Sequence, residues 1–426
     1  MATLVLVSLL LSILLSVPIA ASLGLASTIG FLALSPDLLV LLPQKIISGL
    51  NSFTLLAIPL FILAGTIMGR GGIARRIVSF ALLFVGGIKG GLGFVVIIST
   101  MFFSGVCGSA SADTAAIGST TMPEMLKRNY PKEFATALLA AAGATSSIIP
   151  PSIDLIIIGI VSGVSIGGLF AAGILPGIFN GCALLLLCYY FAHKLDLPTI
   201  DPIPIMEKVR VASESIFALL MPVIILGGIL GGIFTPTEAS AVAVVYGLVI
   251  SLFFYKELTF SELPSVFLAA AKLTGMVMLV LGMASAFSFV LTFERIPHML
   301  AEKIVEFSSN WIVFVFFVNV LFFILGMLMD ALPALIILMP ILVPAGISLG
   351  MDPIHIGIFV AANVTLSLFT PPVGVCLYVA CGLSNLPLEK VFRPILPFIL
   401  VLIFTLFVIS YFPELTLFIP RLLGYS

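Results

Sequence analysis

The residues whose types could do chemistry lie between Gly91 and Pro151, where small polar residues interrupt an otherwise apolar sequence. The two polar stretches of this segment read FFSGVCGSASADTAAIGSTTMPEML and GATSSIIPPS. Glycine lets the backbone turn its carbonyls inward, serine and threonine add neutral oxygens, and a Pro-Pro step frees carbonyls that have lost their amide partners. Hard cations bind such oxygens. The segment is therefore the candidate site of this chain.

The composition is that of a polytopic membrane protein. Of the 426 residues, 61% are hydrophobic and 9% are charged, whereas ordinary soluble domains carry about 25% charged residues. The net charge of -1 gives no basic field, so nucleic acid is not expected as a partner. The N-terminal stretch MATLVLVSLLLSILLSVPIA lacks a cationic leader, which predicts a first membrane helix and not a cleaved signal.

Where a helix is interrupted by polar residues inside the bilayer, its unpaired backbone groups need a partner. A helix in a bilayer satisfies its own amides and carbonyls, whereas a Gly-rich break or a Pro-Pro pair leaves groups that need protein, water or an ion. The same reasoning predicts broken helices over about 134–162 and 354–383, each interrupted by a double proline.

The two halves of the chain resemble each other, because four markers recur in the same order with offsets of 217 to 221 positions. The paired markers are Pro18 and Pro236, Asp113 and Asp330, Pro123 and Pro340, and the double prolines 150–151 and 371–372. Such duplication predicts one repeat over residues 1–192, a polar connector over 193–215, and a second repeat over 216–426.

Charge favours opposite orientations of the repeats. The loop after Pro123 contains Lys127, Arg128 and Lys132, whereas its counterpart after Pro340 contains no Lys or Arg. By the positive-inside rule the first loop faces the cytoplasm and the second faces outside. Inverted repeats with broken helices and midplane ion sites are the plan of many secondary transporters.

Both ends of the first polar segment carry positive charge: Arg70, Arg75, Arg76 and Lys89 precede it, and Lys127 and Arg128 follow it. A segment that starts and ends on one side is a re-entrant hairpin. We predict one over about 91–125 that turns near 104–111, and a mirror hairpin over about 311–345 that turns near 326–333.

Two candidate ion sites follow, each between a hairpin turn and a broken helix. The first consists of Ser104, Gly108, Ser109, Gly143, Thr145, Ile148 and Pro150. The second consists of Gly326, Thr365, Thr370 and Pro371. The alternative is helix packing, because small residues at short spacing let helices approach closely. The duplicated Pro-Pro breaks favour the ion sites.

Four acids lie inside apolar sequence, and burying each costs about 2.5–3.5 kcal/mol on insertion scales, which favours a functional role. They are Asp113, Asp154, Glu238 and Asp330. As repeat mates, Asp113 and Asp330 are expected near the ions or the substrate, together with Ser111 and Ser152; the alternative for a carboxylate is to cap a helix N-terminus. Glu238 follows Pro236, so it is also explained as a first-turn residue.

No cationic side chain falls at the predicted centre, so an anionic substrate must rely on helix N-termini, hydroxyls and bound cations. Five isolated cysteines and three isolated histidines give no metal-ligand cluster. No acid and base stand at catalytic spacing, so an enzyme is not predicted. A channel is disfavoured because the polarity is confined to two breaks.

Several motifs together resemble the large membrane subunit, of DctM or SiaM type, of the tripartite ATP-independent periplasmic (TRAP) transporters. They are GSASADTAAIG, PEMLKRNYPKEFA, IIPPSIDLIIIG, GVSIGGLFAAGILPG, GGIFTPTEASAVAVVYG and FTPPVGVCLYVACG. The resemblance covers nearly the whole chain. It implies an all-α polytopic membrane protein of ion-transporter-superfamily type that imports organic acids, such as C4-dicarboxylates or sialic acid, by an elevator mechanism.

The resemblance also implies a coupling ion, partners and a location. Sodium is the implied coupling ion, held by the two oxygen-rich clusters, and no other cofactor is expected. The implied partners are a small four-helix membrane subunit and a periplasmic substrate-binding protein, in a bacterial inner membrane. The chain opens on an apolar helix at Met1, so we expect the small subunit to be a separate chain. A self-sufficient carboxylate transporter or antiporter without a binding protein is the alternative.

The re-entrant hairpin makes a testable prediction. Cysteines placed at Lys89 and Lys127 should be labelled from the same side of the membrane by an impermeant reagent, because both ends of the hairpin are predicted to be cytoplasmic. Labelling of the two positions from opposite sides would replace the hairpin with a full crossing.

Overall fold

Helices make up all of the regular structure in the part of the chain that the structure describes. The structure is a computed structural model that describes residues 2–15, 17–200, 204–295, 299, 310–328, 331–371 and 374–425. No strand occurs within those ranges. The prediction of an all-α protein is confirmed.

Ten α-helices precede the polar connector in the described part of the chain. They are α1 Ala2–Leu14, α2 Ile19–Leu34, α3 Leu41–Leu50, α4 Ala57–Arg70, α5 Ile73–Val85, α6 Gly91–Cys107, α7 Ala110–Lys127, α8 Lys132–Ala144, α9 Ile153–Ser162 and α10 Ile166–Lys194. Short 3-10 turns at Pro36–Val40, Phe53–Leu56 and Thr145–Ser147 lie between them.

The remaining described residues form a second series of helices. They are α11 Ile205–Leu230, α12 Pro236–Val249, α13 Leu263–Phe293, α14 Trp311–Leu328, α15 Ala331–Ser348, α16 Pro353–Ser367, α17 Val375–Ser384, α18 Leu388–Tyr411 and α19 Pro413–Leu422. A π-helical turn, Ile250–Phe254, extends α12.

Among the described residues, six helices are long and apolar enough to cross a membrane. They cover Phe53–Arg70, Ile166–Lys194, Met206–Leu230, Pro236–Phe254, Leu263–Phe293 and Leu388–Tyr411. The helices of both predicted breaks and α6 of the first hairpin are shorter than these, and α7 carries more polar residues, because glycine, serine and proline divide the apolar runs there. The fold is that of a multi-pass membrane protein.

The first predicted hairpin is a pair of packed helices, α6 and α7, joined by a two-residue turn. Gly108 ends α6 in the left-handed conformation, with φ of 66°, and its N–H donates to the Ser104 carbonyl at 3.2 Å. Ser109 then starts α7, and its carbonyl accepts from the Asp113 N–H at 2.9 Å. Glycine adopts that conformation without steric cost, which is why the chain reverses there.

The second predicted hairpin corresponds to α14 and α15, which also pack on each other. Residues 329 and 330 connect them and lie outside the described residues, so Asp330, one of the predicted site residues, has no described position. Gly326 in the last turn of α14 lies so close to Ser367 of α16 that a side chain there would overlap it. The hairpin is thereby held against the second broken helix.

Both predicted broken helices are interrupted at their double prolines. In the first, α8 gives way to the turn Thr145–Ser147, and α9 starts only at Ile153. In the second, α16 ends at Ser367 and α17 starts at Val375. The Cys376 N–H in the first turn of α17 donates to the Leu368 carbonyl, just after α16, at 2.9 Å.

Most of the helices associate in two groups, and α5 and α11 contact helices of both groups. One group contains α1 to α4 with α12 and α13, which pack on one another. The other contains the hairpins, the broken helices and α10, α18 and α19. The groups meet where α4 packs on α6, α7 and α9, and where α13 packs on α15.

A buried polar network joins four helices of the second group. The Asn363 amide donates to Asn319 Oδ1 at 2.7 Å, and the Asn319 amide donates to Ser410 Oγ at 3.2 Å. His355 Nδ1 lies 2.8 Å from Thr416 Oγ1, and its Nε2 lies 3.2 Å from the Ser410 carbonyl. These bonds connect α14, α16, α18 and α19, so they fix the second hairpin relative to the second broken helix.

We therefore expect Asn363→Leu to lower the stability by about 0.5–2 kcal/mol, the range measured for hydrogen bonds between membrane helices. Thermal unfolding of the purified protein in detergent would measure the change. The matched control is Asn51→Leu, at an exposed position after α3. Equal midpoints for the two variants would contradict a stabilising network.

Candidate functional site

The turn of the first hairpin lies against the first broken helix. The Gly108 carbonyl accepts a hydrogen bond from the Ile153 N–H at 3.0 Å, across the start of α9. A Cβ at Gly108 would come within 2.5 Å of the Pro151 carbonyl oxygen. Only glycine therefore fits at this turn, both for its left-handed conformation and for its distance from the break.

The predicted first-site residues lie along this contact. Ser104 Oγ donates to the Ser146 carbonyl at 3.2 Å, which ties α6 to the 3-10 turn. Thr145 Oγ1 donates to the Ala142 carbonyl at 2.6 Å. Gly143 lies directly against Thr114, so α7 and α8 approach as closely as glycine permits.

The remaining first-site residues divide between two neighbours. The Ile148 carbonyl lies against Gly173 of α10, and the Pro150 ring lies beside the same glycine. In contrast, the carbonyl of Pro150 faces Gly105 of α6, at 3.8 Å from the position of a Cβ there. Ser109 Oγ lies 3.5 Å from Ser111 Oγ at the hairpin turn.

The predicted second-site residues are also buried. Thr370 Oγ1 donates to the Leu366 carbonyl at 2.5 Å, and the Gly374 N–H donates to the Thr370 carbonyl at 3.1 Å. Pro371 is buried within the break. Gly326 approaches this segment at Ser367, as described above. The structure thus brings the hairpin helix and the break together on this side as well.

A hydroxyl pair joins the two breaks. Ser147 Oγ and Thr365 Oγ1 are 2.6 Å apart, and both side chains are buried. The Ser147 carbonyl also accepts a hydrogen bond from Ser152 Oγ at 2.8 Å. The sequence did not lead us to predict Ser146 or Ser147 as site residues. Both belong to the TSS cluster that precedes the Pro-Pro step, and this cluster could have indicated them.

A cavity of about 490 Å³ opens beside the first hairpin turn. It is lined by residues of the turn, by the starts of α2, α9, α15 and α17, and by apolar residues of α13. Helix N-termini carry partial positive charge and bind anions. No Lys or Arg is among the described residues that line the cavity. The cavity therefore suits a small anion only with help from backbone dipoles, hydroxyls and bound cations.

The predicted acids have different environments. Asp113 is fully buried in the first turn of α7. Asp154 lines the cavity, and its N–H donates to Ser152 Oγ at 3.2 Å at the start of α9. Glu238 accepts bonds from the N–H and hydroxyl of Thr235, both at 2.8 Å, in a capping box at an exposed position. Its role is that of a first-turn residue.

Comparison with known proteins identifies relatives over nearly the whole chain. A family model described as "Tripartite ATP-independent periplasmic transporter, DctM component" matches residues 6–415. The C4-dicarboxylate TRAP transporter large permease protein DctM of Pseudomonas aeruginosa is 38% identical over 405 residues, which is 95% of this chain and 95% of that protein. The sialic acid TRAP transporter large permease protein SiaM of Vibrio cholerae is 36% identical, over 90% of both chains.

Among solved structures, the YdaH transporter of Alcanivorax borkumensis has a similar fold. The TM-score is 0.55, and the match covers 88% of this chain and 89% of that one at 13% sequence identity. At that identity the likeness concerns the fold alone.

The tight contact at Gly108 predicts a large cost for its substitution. Gly108→Ala adds the strain of a left-handed alanine, about 1–2 kcal/mol, and also a clash with the Pro151 carbonyl. The matched control is Gly163→Ala, because Gly163 has φ of 73° but nothing within 4 Å of its Cβ position. We expect Gly108→Ala to lower the thermal midpoint more than the control does. Equal shifts would show that the turn does not depend on its contact with the break.

Proposed function

Because this chain belongs to the DctM-component family of the tripartite ATP-independent periplasmic transporters, we propose that it is the large permease subunit of a sodium-coupled importer of small organic acids. Membership of this family makes it a transport protein and not an enzyme. The proposal depends on the position of the cavity. The cavity borders the first hairpin turn and several helix N-termini, and the hairpin turn in turn contacts the oxygen-rich break.

Sodium as the coupling ion is supported by the donor chemistry of the breaks. The groups at the first break are carbonyls and hydroxyls, among them Ser104, Thr145 and the residues of the Pro-Pro step. Hard monovalent cations prefer neutral oxygens of this kind, and unwound carbonyls hold Na⁺ in other secondary transporters. The residues present therefore fit a sodium ion, which when bound would supply positive charge next to an anionic substrate.

The substrate class is supported by the charge of the cavity lining and by the relatives. Two relatives are named for C4-dicarboxylate and for sialic acid, both of which are small carboxylates. A cavity of about 490 Å³ falls within the range of about 300–1,000 Å³ that is typical of small-molecule sites. Its N-terminal helix ends would face the carboxylate of such a substrate.

The partners follow from the family. A tripartite transporter has two further components, and we propose that these are a small four-helix membrane subunit on a separate chain and a periplasmic substrate-binding protein. The location that this assembly requires is the inner membrane of a bacterium, next to the periplasm.

An elevator mechanism is supported by the two packing groups. The hairpins and broken helices form one group with the candidate sites, and α1 to α4 with α12 and α13 form the other. The cavity lies at their border, since α2, α4 and α13 line one side and the hairpin turn lines the other. Movement of the first group along the second would carry a bound substrate across the membrane.

Uptake into proteoliposomes tests the proposal. The complex of this chain with its small subunit should accumulate a radiolabelled C4-dicarboxylate or sialic acid only when the cognate binding protein and an inward sodium gradient are both present. Uptake without the binding protein would favour a self-sufficient carboxylate transporter. Uptake that is unaffected by the sodium gradient would reject sodium coupling.

Two substitutions test whether the proposed clusters bind the coupling sodium ions. Ser109→Leu and Thr370→Leu should weaken the sodium dependence of uptake before they reduce folding, because each places an apolar side chain at a proposed ion cluster. The control is Ser119→Leu, at an exposed position of α7. Unaltered sodium activation in both variants would contradict the assigned clusters.

A further inference from the structure

Basic side chains gather where α4, α5 and the loop between α12 and α13 meet. Arg70 ends α4, and Arg75 and Arg76 lie in the first turn of α5. The loop packs tightly on the turn between these two helices, because a Cβ at Gly72 would overlap the Glu257 carboxylate. By the positive-inside rule this junction faces the cytoplasm.

One carboxylate serves two of these arginines. Glu257 accepts hydrogen bonds from the guanidinium groups of both Arg75 and Arg76. The guanidinium carbon of Arg76 also lies 3.7 Å from the centroid of the Tyr255 ring, while its buried Nε has no hydrogen-bond partner. A single negative charge cannot neutralise two guanidinium groups, so the pair keeps an excess of positive charge.

The other charged groups of the junction leave this excess in place. Arg70 donates to a serine hydroxyl of α13 at 2.9 Å and has Glu262 nearby, whereas Lys256 is exposed in the loop. Glu214 of α11 lies beside the junction, but its carboxylate pairs with Arg210 of the same helix. The junction therefore has more basic side chains than carboxylates, namely Arg70, Arg75, Arg76 and Lys256 against Glu257 and Glu262.

Exposed phenylalanines border the same junction. Phe253 in the π-helical turn and Phe260 in the loop are 59% and 67% exposed, and their rings contact each other edge to face at 6.3 Å. Phe260 lies between the polar residues Thr259 and Ser261, outside the described helices. Exposed apolar surface next to polar residues marks a site of contact with a membrane or a partner.

Excess positive charge beside exposed aromatic rings matches the two parts of an anionic lipid. We propose that this junction binds an anionic phospholipid, with its phosphate at Arg70 and Arg75 and an acyl chain over Phe253 and Phe260. Basic pockets between membrane helices on the cytoplasmic side bind phospholipid head groups. A free phosphate would use the arginines and leave the rings uncovered, so the lipid is the ligand that fits both features.

The position of the junction indicates what the lipid does. Helix α4 belongs to the first packing group, and α5 packs on α4 as well as on α6 and α7 of the second group. A lipid phosphate would neutralise the excess charge at the point where these helices meet and so stabilise the junction. This effect does not depend on which ion or acid is transported, so the inference stands apart from the proposed function.

The test titrates phosphatidylglycerol into the purified complex with the small subunit in detergent and follows thermal unfolding. Phosphatidylcholine is the neutral lipid for comparison, and inorganic phosphate is the free anion. The variants are Arg70→Gln/Arg75→Gln, at two exposed positions, and Phe260→Ser. The matched control is Arg421→Gln, because Arg421 is 48% exposed and pairs with one carboxylate, that of Glu414.

We expect phosphatidylglycerol, and not phosphatidylcholine or inorganic phosphate, to raise the unfolding midpoint of the wild-type complex. The apparent affinity for phosphatidylglycerol should fall about fivefold for each arginine removed, which is the contribution of one basic side chain at an anionic lipid surface. Phe260→Ser should lower it by a smaller factor, because the head group remains bound. Arg421→Gln should leave the affinity unchanged.

An equal response of the wild type and Arg70→Gln/Arg75→Gln to phosphatidylglycerol would overturn the site. Stabilisation by inorganic phosphate alone, unaltered in Phe260→Ser, would overturn it too, because the ligand would then be a free anion. A wild-type complex that does not respond to phosphatidylglycerol would show that a partner such as the small subunit covers the rings, and the lipid site would again be rejected. Each of these results leaves the proposed transport function in place.

Discussion

The contact between the first hairpin turn and the first broken helix is the constraint on which the rest of this structure depends. Backbone groups released by a helix break cannot be satisfied by lipid, so another part of the protein must meet them. Here the Gly108 carbonyl accepts from the Ile153 N–H, and the Pro151 carbonyl lies against Gly108 itself. The reversal of the hairpin, the start of α9 and the position of the cavity all follow from this contact.

The same requirement explains why the two halves of the chain are joined at their breaks. Ser147 and Thr365 share a hydroxyl contact of 2.6 Å in the interior, where an unpaired hydroxyl would be costly. Each break therefore provides a partner for the other. An arrangement of this kind places oxygen-rich backbone at the centre of the molecule, next to the cavity, and keeps it away from the lipid-facing surface.

The cavity is bordered both by helix N-termini and by carboxylates, and this combination supports the proposed dependence on cations. Helix N-termini at its wall favour an anion, but Asp154 lines the same wall and Asp113 is buried just behind the hairpin turn. A carboxylate substrate would meet repulsion there unless cations were bound first. Charge balance of this kind would make the order of binding, cation before acid, a consequence of electrostatics.

Composition alone determined that this is a multi-pass helical membrane protein, and the resemblance of its motifs indicated the family, because hydrophobicity, glycine and proline act locally on the backbone and are read directly from the chain. The reversal at Gly108, the interruption between Thr145 and Ile153, and the end of α16 at Ser367 all fall within predicted segments. The roles of individual side chains were decided by tertiary structure. The Ile148 carbonyl came to lie against α10, and Ser146 and Ser147 came to face Asp113 and Thr365. Ser147 and Thr365 are 218 positions apart in the chain, and only the packing of helices determines which buried oxygen meets another.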